Sequence, residues 1–337
     1  MHPLEHPSAV PANAFESVSL SGIAQHVDTR SQQDATLHRG LPRPNKEFIL
    51  TGRVSKGLVT PDRRPSELPE PGKLKLQLSL GRKIGHGRVA RVYEATVDYS
   101  KSSPELQGMV LPPLVVKVSR RHAAKQLARE AYYYDEMECL QGSVIPRYYG
   151  FFETMIPANW NFGPWRRDPV VRGSRQSTAS DTESEFEDDD YSPQNNTFDD
   201  GYSSDEEPPP PPPRVPTKVS ILVMERLGDL MPLGQPLPDG ILDEIVSLYS
   251  NLSELGVDHV DIRYYNILRA PPPDSPLPSL PSPLTQQTYG WRLVDFNNSY
   301  KTNRTLRAFK YYYFGYLTRL ISNLPWNDIW EPWEFEY

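Results

Sequence analysis

Strand-like text runs through Phe151-Phe152 and resumes at Val219, and residues 157–217 between them do not have the composition to fold by themselves. They include Glu183-Ser184-Glu185-Phe186-Glu187-Asp188-Asp189-Asp190, a second acidic cluster at 203–207 and an unbroken proline run at 208–213. So few apolar side chains cannot offset the entropy of ordering, and polyproline favours an extended helix with no internal hydrogen bonds. Because Val219-Ser220-Ile221-Leu222-Val223-Met224-Glu225 follows at once, the segment reads as a disordered insertion inside one domain. Its simplest role is an inert solvated loop; serines beside acids (Ser180, Ser184, Ser203, Ser204) are its candidate phosphorylation sites, and 208–213 is a candidate ligand for a polyproline-binding partner.

The same logic applies to the N-terminus. Residues 1–72 are rich in Pro, Ser and His with no sustained apolar period, and read as mostly disordered. With 36 prolines and a hydrophobic fraction of 37%, the foldable text is a subset of the chain, placed here at 73–337. The net charge of -7 comes largely from the acidic run, and no basic stripe points to nucleic acid. Cys139 is the single cysteine, which excludes an intrachain disulfide framework and fits a reducing compartment. No apolar run reaches the ~18 residues of a membrane span, and the first residues lack a signal-peptide pattern. The expectation is an intracellular protein, cytoplasmic or nuclear, not secreted and with no membrane partner.

Within 73–337 the text alternates between periods. Strands are expected at 74–84, 90–97 and 114–118, a helix at 123–140, a strand at 145–152, another at 219–225, and a helix at 239–255 capped by Gly256. A Pro-rich loop at 271–286 precedes a short strand from Trp291, and a last helix spans about 303–322. The tryptophans 326, 330 and 333 are read as a structural cap.

Four groups of residues carry chemistry. Gly85-His86-Gly87 sits at a strand-to-strand turn, where backbone N–H groups approach phosphate oxygens without a Cβ in the way. A plain hairpin is the competing reading. Lys117 is a lone cation in an apolar strand, costly to bury without anionic partners unless it turns to water on an edge. Glu130 and Glu136 on the next helix are both available to it, and Glu130, in the helix's first half, is preferred. In His259-Val260-Asp261-Ile262-Arg263-Tyr264-Tyr265-Asn266 a carboxylate precedes a carboxamide by five residues. Asp261 can accept a hydroxyl proton, Asn266 can hold a metal, and Arg263 brings positive charge near a phosphoryl group. Val294-Asp295-Phe296 adds a second carboxylate at a strand end.

In that order, the parts resemble the protein kinase superfamily, most of all its small, divergent fungal kinase-like proteins. The resemblance covers about 73–300. It implies an α+β, bilobal protein-kinase-like fold, with an antiparallel-sheet N-lobe at about 73–228 and a reduced helical C-lobe at about 229–337. By the same resemblance ATP and Mg²⁺ are the cofactors. Gly85 and Gly87 would cover the phosphates, Val92 would pack on adenine, and Met224 would be the gatekeeper, with the Glu225 and Leu227 backbones at the adenine edge. Lys117 would bind phosphates and pair with Glu130, Asp261 would be the catalytic base, and Asn266 and Asp295 would hold Mg²⁺. The implied reaction is transfer of the ATP γ-phosphate to Ser/Thr hydroxyls of a protein. The alternatives are a pseudokinase or nucleotide-binding scaffold, and a small-molecule kinase of the choline or aminoglycoside-kinase type.

Three positions depart from the family pattern. Val260 stands where an arginine that receives a phosphorylated activation loop is usual, Arg263 replaces a lysine, and Asn297 replaces the glycine after Asp-Phe. Asparagine tolerates left-handed geometry, so a turn at 297 is expected to survive. Residues 296–337 are too short a stretch for a full peptide-binding platform.

Overall fold

The computed structural model describes residues 8–41, 62–165, 215–232, 235, 237–303 and 306–323. In chain order its strands and helices are β1 (Ser8–Ala9), β2 (Phe15–His26), β3 (Gln32–Arg39), β4 (Leu74–His86), β5 (Ala90–Val97), β6 (Met109–Val110), β7 (Leu114–Ser119), α1 (Ala124–Glu136), β8 (Tyr148–Ile156), β9 (Trp160–Phe162) and β10 (Thr217–Glu225). After these come α2 (Ile241–Glu254), β11 (Val257–Asp258), β12 (Ile267–Arg269), β13 (Trp291–Leu293), β14 (Tyr300–Lys301) and α3 (Leu306–Asn323). The class is α+β, mostly sheet.

Strand alternation decides what faces what. On β7, Val116 and Val118 point into one apolar cluster with Val219, Ile221 and Val223 of β10. Val115, Leu222 and Met224 point to the opposite face, towards α1. Lys117 lies opposite Leu222 and Val92 in the ladders, so period two puts its side chain on the α1 face as well. All six residues of β7 are buried, as expected of a central strand covered on both sides.

The sheet runs β3-β8-β10-β7-β5-β4-β2, and β2 also pairs with β3, which closes it into a seven-strand barrel-like ring with β9 attached to β2. This corrects the reading of residues 1–72 as mostly disordered: 15–39 are an antiparallel hairpin built into the ring. Phe15, Val18, Leu20 and Leu37 are wholly buried there. The hairpin's polar partners pair off: Ser19 meets Thr36 at 2.8 Å, and Gln77 donates to Ser21 and Asp34 at 2.8 Å each. Arg39 donates to the carbonyls of Phe15 (2.6 Å) and Tyr149 (2.7 Å), stitching β2, β3 and β8 together. Gly150, at φ 138°, makes room: a Cβ there would lie 2.7 Å from the Arg39 guanidinium. The sheet is also not purely antiparallel, because β2 joins β4 in parallel.

The other boundaries shift modestly. The insertion begins later than 157, since β9 and a 3₁₀ turn at Gly163–Trp165 continue the fold. The strand expected at 145–152 runs 148–156, and the helix expected to 140 ends at Glu136, followed by a 3₁₀ turn. Helix α2 buries Ile241, Ile245, Leu248 and Leu252 on one face and ends before Gly256, whose φ of 65° suits a C-terminal cap. The Pro-rich loop 271–286 is tied down by Arg292, which is wholly buried and donates to the Gly142 carbonyl (2.9 Å) and Ser279 Oγ (2.6 Å). Burial pushes that guanidinium down to about 10.

The core does not draw the expected two lobes. One apolar cluster runs from Val115 and Leu222 through α1 to α2, Phe296 and Leu317 of α3. Among the described residues no helix is long and apolar enough to cross a membrane. The insertion at 166–214 with its serines and prolines, and tryptophans 326, 330 and 333, lie outside the described residues.

Candidate functional site

Lys117 is buried between two carboxylates. Its Nζ lies 2.7 Å from Glu130 Oε2 and 2.7 Å from Asp295 Oδ1. Helix α1 presents Glu130 because Leu127, Glu130, Ala131 and Tyr134 share its buried face. Glu136, the other open candidate, points elsewhere and pairs with Lys301 of β14. Burial alone would lower the Lys117 pKa, but Asp295 and Glu130 together outweigh it and hold the ammonium charged. With one cation between two acids, desolvation dominates at Glu130 and pushes its carboxyl up to about 7 against the pull of Lys117.

A two-strand ribbon brings the remaining carboxylates together. Ile267 of β12 faces Leu293 of β13, so Asn266 just before one strand sits beside Val294 and Asp295 just after the other. The Val294 amide donates to the Asn266 carbonyl at 3.0 Å. Asn266 Nδ2 donates to the Asp261 carbonyl (2.9 Å) and to Asp261 Oδ2 (3.2 Å). Arg263 Nε lies 2.8 Å from Asp261 Oδ1, and the same guanidinium contacts the Tyr265 hydroxyl. The Asp261–Arg263–Asn266 cluster and the Lys117–Glu130–Asp295 triad are thus adjacent through the ribbon.

A column of rings supports both. Tyr148 stacks on Tyr134 (centroids 5.1 Å apart), Tyr134 meets Phe296 edge-on (5.2 Å), and Phe296 meets His259 edge-on (4.9 Å). His259 then contacts Tyr249 of α2 at 5.8 Å. His259 Nε2 is 2.9 Å from the Val294 carbonyl, an acceptor, so Nε2 carries the proton in that contact. The aromatic after Asp295 therefore packs under α1 and fixes Asp295 from behind.

Asp295 has φ 66°, in the left-handed region, where aspartate is tolerated better than most residues. The sequence reading placed that burden on Asn297. Instead Asn297 donates its Nδ2 to Asp295 Oδ1 at 2.8 Å, a role a glycine could not fill.

The glycine turn is a tight hairpin: the Gly87 amide donates to the Ala90 carbonyl at 2.9 Å, and Arg120 Nε donates to the Gly87 carbonyl at 2.7 Å. A Cβ at Gly85 would touch Val92 at 3.4 Å. Val92 is half-buried and Met224 buried, both packed in the cluster that contains α1. Arg147 holds Glu225 by its carboxylate (2.5 Å), and the Glu225 amide donates to the Arg147 carbonyl (2.9 Å). Leu227 is half-buried between exposed Arg226 and Gly228 on the chain leaving β10.

Sequence reasoning missed the second clamp on α1. Lys301 pairs with Glu136 and donates to the Leu255 carbonyl at 2.8 Å, while Arg129 donates to the Ser299 carbonyl at 2.6 Å and lies over the Tyr300 ring. No local signal could have paired Glu136 with a residue 165 positions away.

No protein-family model matches the chain, and no curated protein matches it. One solved structure, described as a kinase domain, aligns with 68% of this chain at 14% sequence identity and a TM-score of 0.34. The chain spans about half of that structure, 52% of its length. A likeness at that score carries no argument for fold or activity.

Proposed function

We propose that this chain is an ATP-dependent phosphotransferase of protein-kinase type, transferring the γ-phosphoryl group to Ser/Thr hydroxyls of a protein. The observation that carries the reading is Lys117 Nζ held 2.7 Å from both Glu130 and Asp295, beside the Asp261–Asn266 loop. In this reading the closed sheet with α1 plays the part of the nucleotide-binding lobe, and α2 with the ribbon that of the catalytic one.

The donor set suits the implied metal. Asn266 spends its Nδ2 on Asp261, which leaves Oδ1 as an acceptor, and Lys117 and Asn297 both take Oδ1 of Asp295. Two hard oxygen donors at the end of one ribbon match Mg²⁺, which needs only one or two protein carboxyl or amide oxygens when phosphate oxygens complete its shell. Bound Mg²⁺ would neutralise charge on the transferring phosphoryl group. Lys117, kept protonated, meets the phosphates. Asp261 takes the acceptor hydroxyl's proton, and Arg263, 2.8 Å from its Oδ1, orients it.

One observation favours a second reading, a nucleotide-binding scaffold: both Asp261 oxygens are already engaged, by Arg263 at 2.8 Å and Asn266 at 3.2 Å. A single pair of measurements separates the two. With the intact chain, ATP at a hundred times its Kd should stabilise the fold by ~2.7 kcal/mol in either case, and only with Mg²⁺. Phosphate transfer to a Ser/Thr peptide library, reduced ~10²–10⁴-fold in Asp261→Asn, supports the kinase. Stabilisation without transfer to peptides or metabolites supports the scaffold, transfer to metabolites alone moves the acceptor to small molecules, and absence of any ATP effect overturns all three.

A further inference from the structure

Residues 62–72 cross the C-terminal end of α1 before entering β4, and the Glu138 carboxylate grips them there. Glu138, in the turn that follows α1, accepts from Ser66 Oγ at 2.8 Å (Oε1) and 2.7 Å (Oε2), and from the Glu67 amide at 3.1 Å. Arg63 Nη2 adds an ion pair at 3.2 Å. The Leu68 amide donates back to Ser66 Oγ at 3.2 Å, so the serine is the centre of the seam. Downstream the strap is fixed: the Gly72 amide donates to the Asn13 carbonyl at 3.1 Å, and a Cβ at Gly72 would strike the Ala14 carbonyl at 2.4 Å.

Ser66 is exposed, as are Arg63, Arg64 and Pro65 before it. Proline keeps Arg64 extended, so the run Arg63-Arg64-Pro65-Ser66 offers two guanidinium groups and a hydroxyl along one accessible strip. Guanidinium groups at fixed offsets from a hydroxyl are what a kinase cleft lined with carboxylates can grip by charge-assisted hydrogen bonds.

We propose that Ser66 is a phosphorylation site for a separate, arginine-directed Ser/Thr protein kinase, and that its phosphate detaches the strap from α1. In the modifying step Ser66 Oγ attacks the γ-phosphorus of ATP. The Oγ–P bond forms, the bond from that phosphorus to the β–γ bridging oxygen breaks, ADP leaves, and the hydroxyl proton passes to the modifying enzyme's base. The product carries a charge of about −1.5 to −2 where a donor stood. Glu138 then faces a dianion at the distance of its former hydrogen bond, and Arg63 gains a stronger partner in the phosphate than in the carboxylate. Both changes pull the strap off. The site is independent of this chain's own transfer activity.

The test uses the full chain, ATP and the catalytic subunit of cyclic-AMP-dependent protein kinase as the arginine-directed probe. Mass spectrometry is expected to map phosphate to Ser66, to find none at that position in Ser66→Ala, and to find incorporation at least tenfold slower in Arg63→Ala/Arg64→Ala. Hydrogen exchange over 62–72 and 136–140 is then expected to be at least tenfold faster in the phosphorylated chain, with a smaller rise in Ser66→Ala, which loses the hydrogen bonds without adding charge. Failure of the probe to modify Ser66, or modification that leaves exchange over both segments unchanged, overturns the proposal. Ser66→Glu is the second variant: if it exchanges no faster than Ser66→Ala, charge is not what releases the strap.

Discussion

The closed sheet and the chain after α2 are held together by different means. Inside the sheet, buried side chains such as Phe15, Val18, Leu20, Leu37, Val116, Ile221 and Val223 are apolar, and the backbone ladders satisfy themselves. After α2 the buried set is crowded with polar groups: Asp258, His259, Asn266, Ser282, Arg292, Lys301, Thr302 and Asn303. An apolar core loses stability in proportion to the volume removed. A buried polar network loses it according to what is left unpaired, because an orphaned donor or charge keeps its desolvation cost. Small changes should therefore be cheap in the first region and expensive in the second.

The largest test is Lys301→Met, which takes the cation from Glu136, a carboxylate with 8% of its surface exposed. It should cost ~3–5 kcal/mol in urea unfolding, and Glu136→Leu added to it should recover much of the loss. A cost below that of a core methylene would erase the contrast. Next, Ser282→Ala removes one oxygen, yet leaves Asn251 Oδ1, now 2.5 Å from the hydroxyl, without its donor. The expected loss is ~1–3 kcal/mol. Ile221→Val removes a comparable volume from the sheet and should cost ~0.5–1.5 kcal/mol, with activity towards any substrate unchanged.

The last test is a slope with pH. Glu130's carboxyl is raised from its ordinary 4.5 to about 7, so between these values the folded chain holds a proton that the unfolded chain has given up. Its contribution is present in full below 4.5 and is lost as pH rises towards 7. Glu130→Gln should flatten stability against pH across that window, and an unchanged slope would mean that the carboxyl is not burdened by burial.

What could be read from sequence follows the same division. Lys117, Asp261, Asn266 and Asp295 stood out because each is a charged or amide residue beside strand or helix text, and short-range pairing carries their geometry: one β12/β13 register sets Asn266 beside Asp295. The hairpin 15–39 escapes the sequence reading because Phe15 and Val18 stand three residues apart, which breaks the period of two, and an irregularity between Leu20 and Ala24, around Gly22 inside β2, shifts the register. Its apolar signal is thin per strand and becomes a core only against β4 and β8. Glu136–Lys301 and Arg292's hold on the Pro-rich loop were illegible for a related reason. Each joins groups far apart in sequence, and nothing local distinguishes a lysine that will be buried from one that will not.

The closure of the sheet also fixes an order of events during synthesis. The hairpin at 15–39 leaves the ribosome before β4 and β8, but Arg39 finds the Tyr149 carbonyl 110 residues later, and β3 gains its second neighbour only when β8 has been made. Until then β2 and β3 carry unpaired edges, open to the wrong strand of another nascent chain. Ring closure must also overcome the entropy of joining such distant segments before any of its contacts form. The gain of a closed ring is matched by a long interval in which β2 and β3 need shielding.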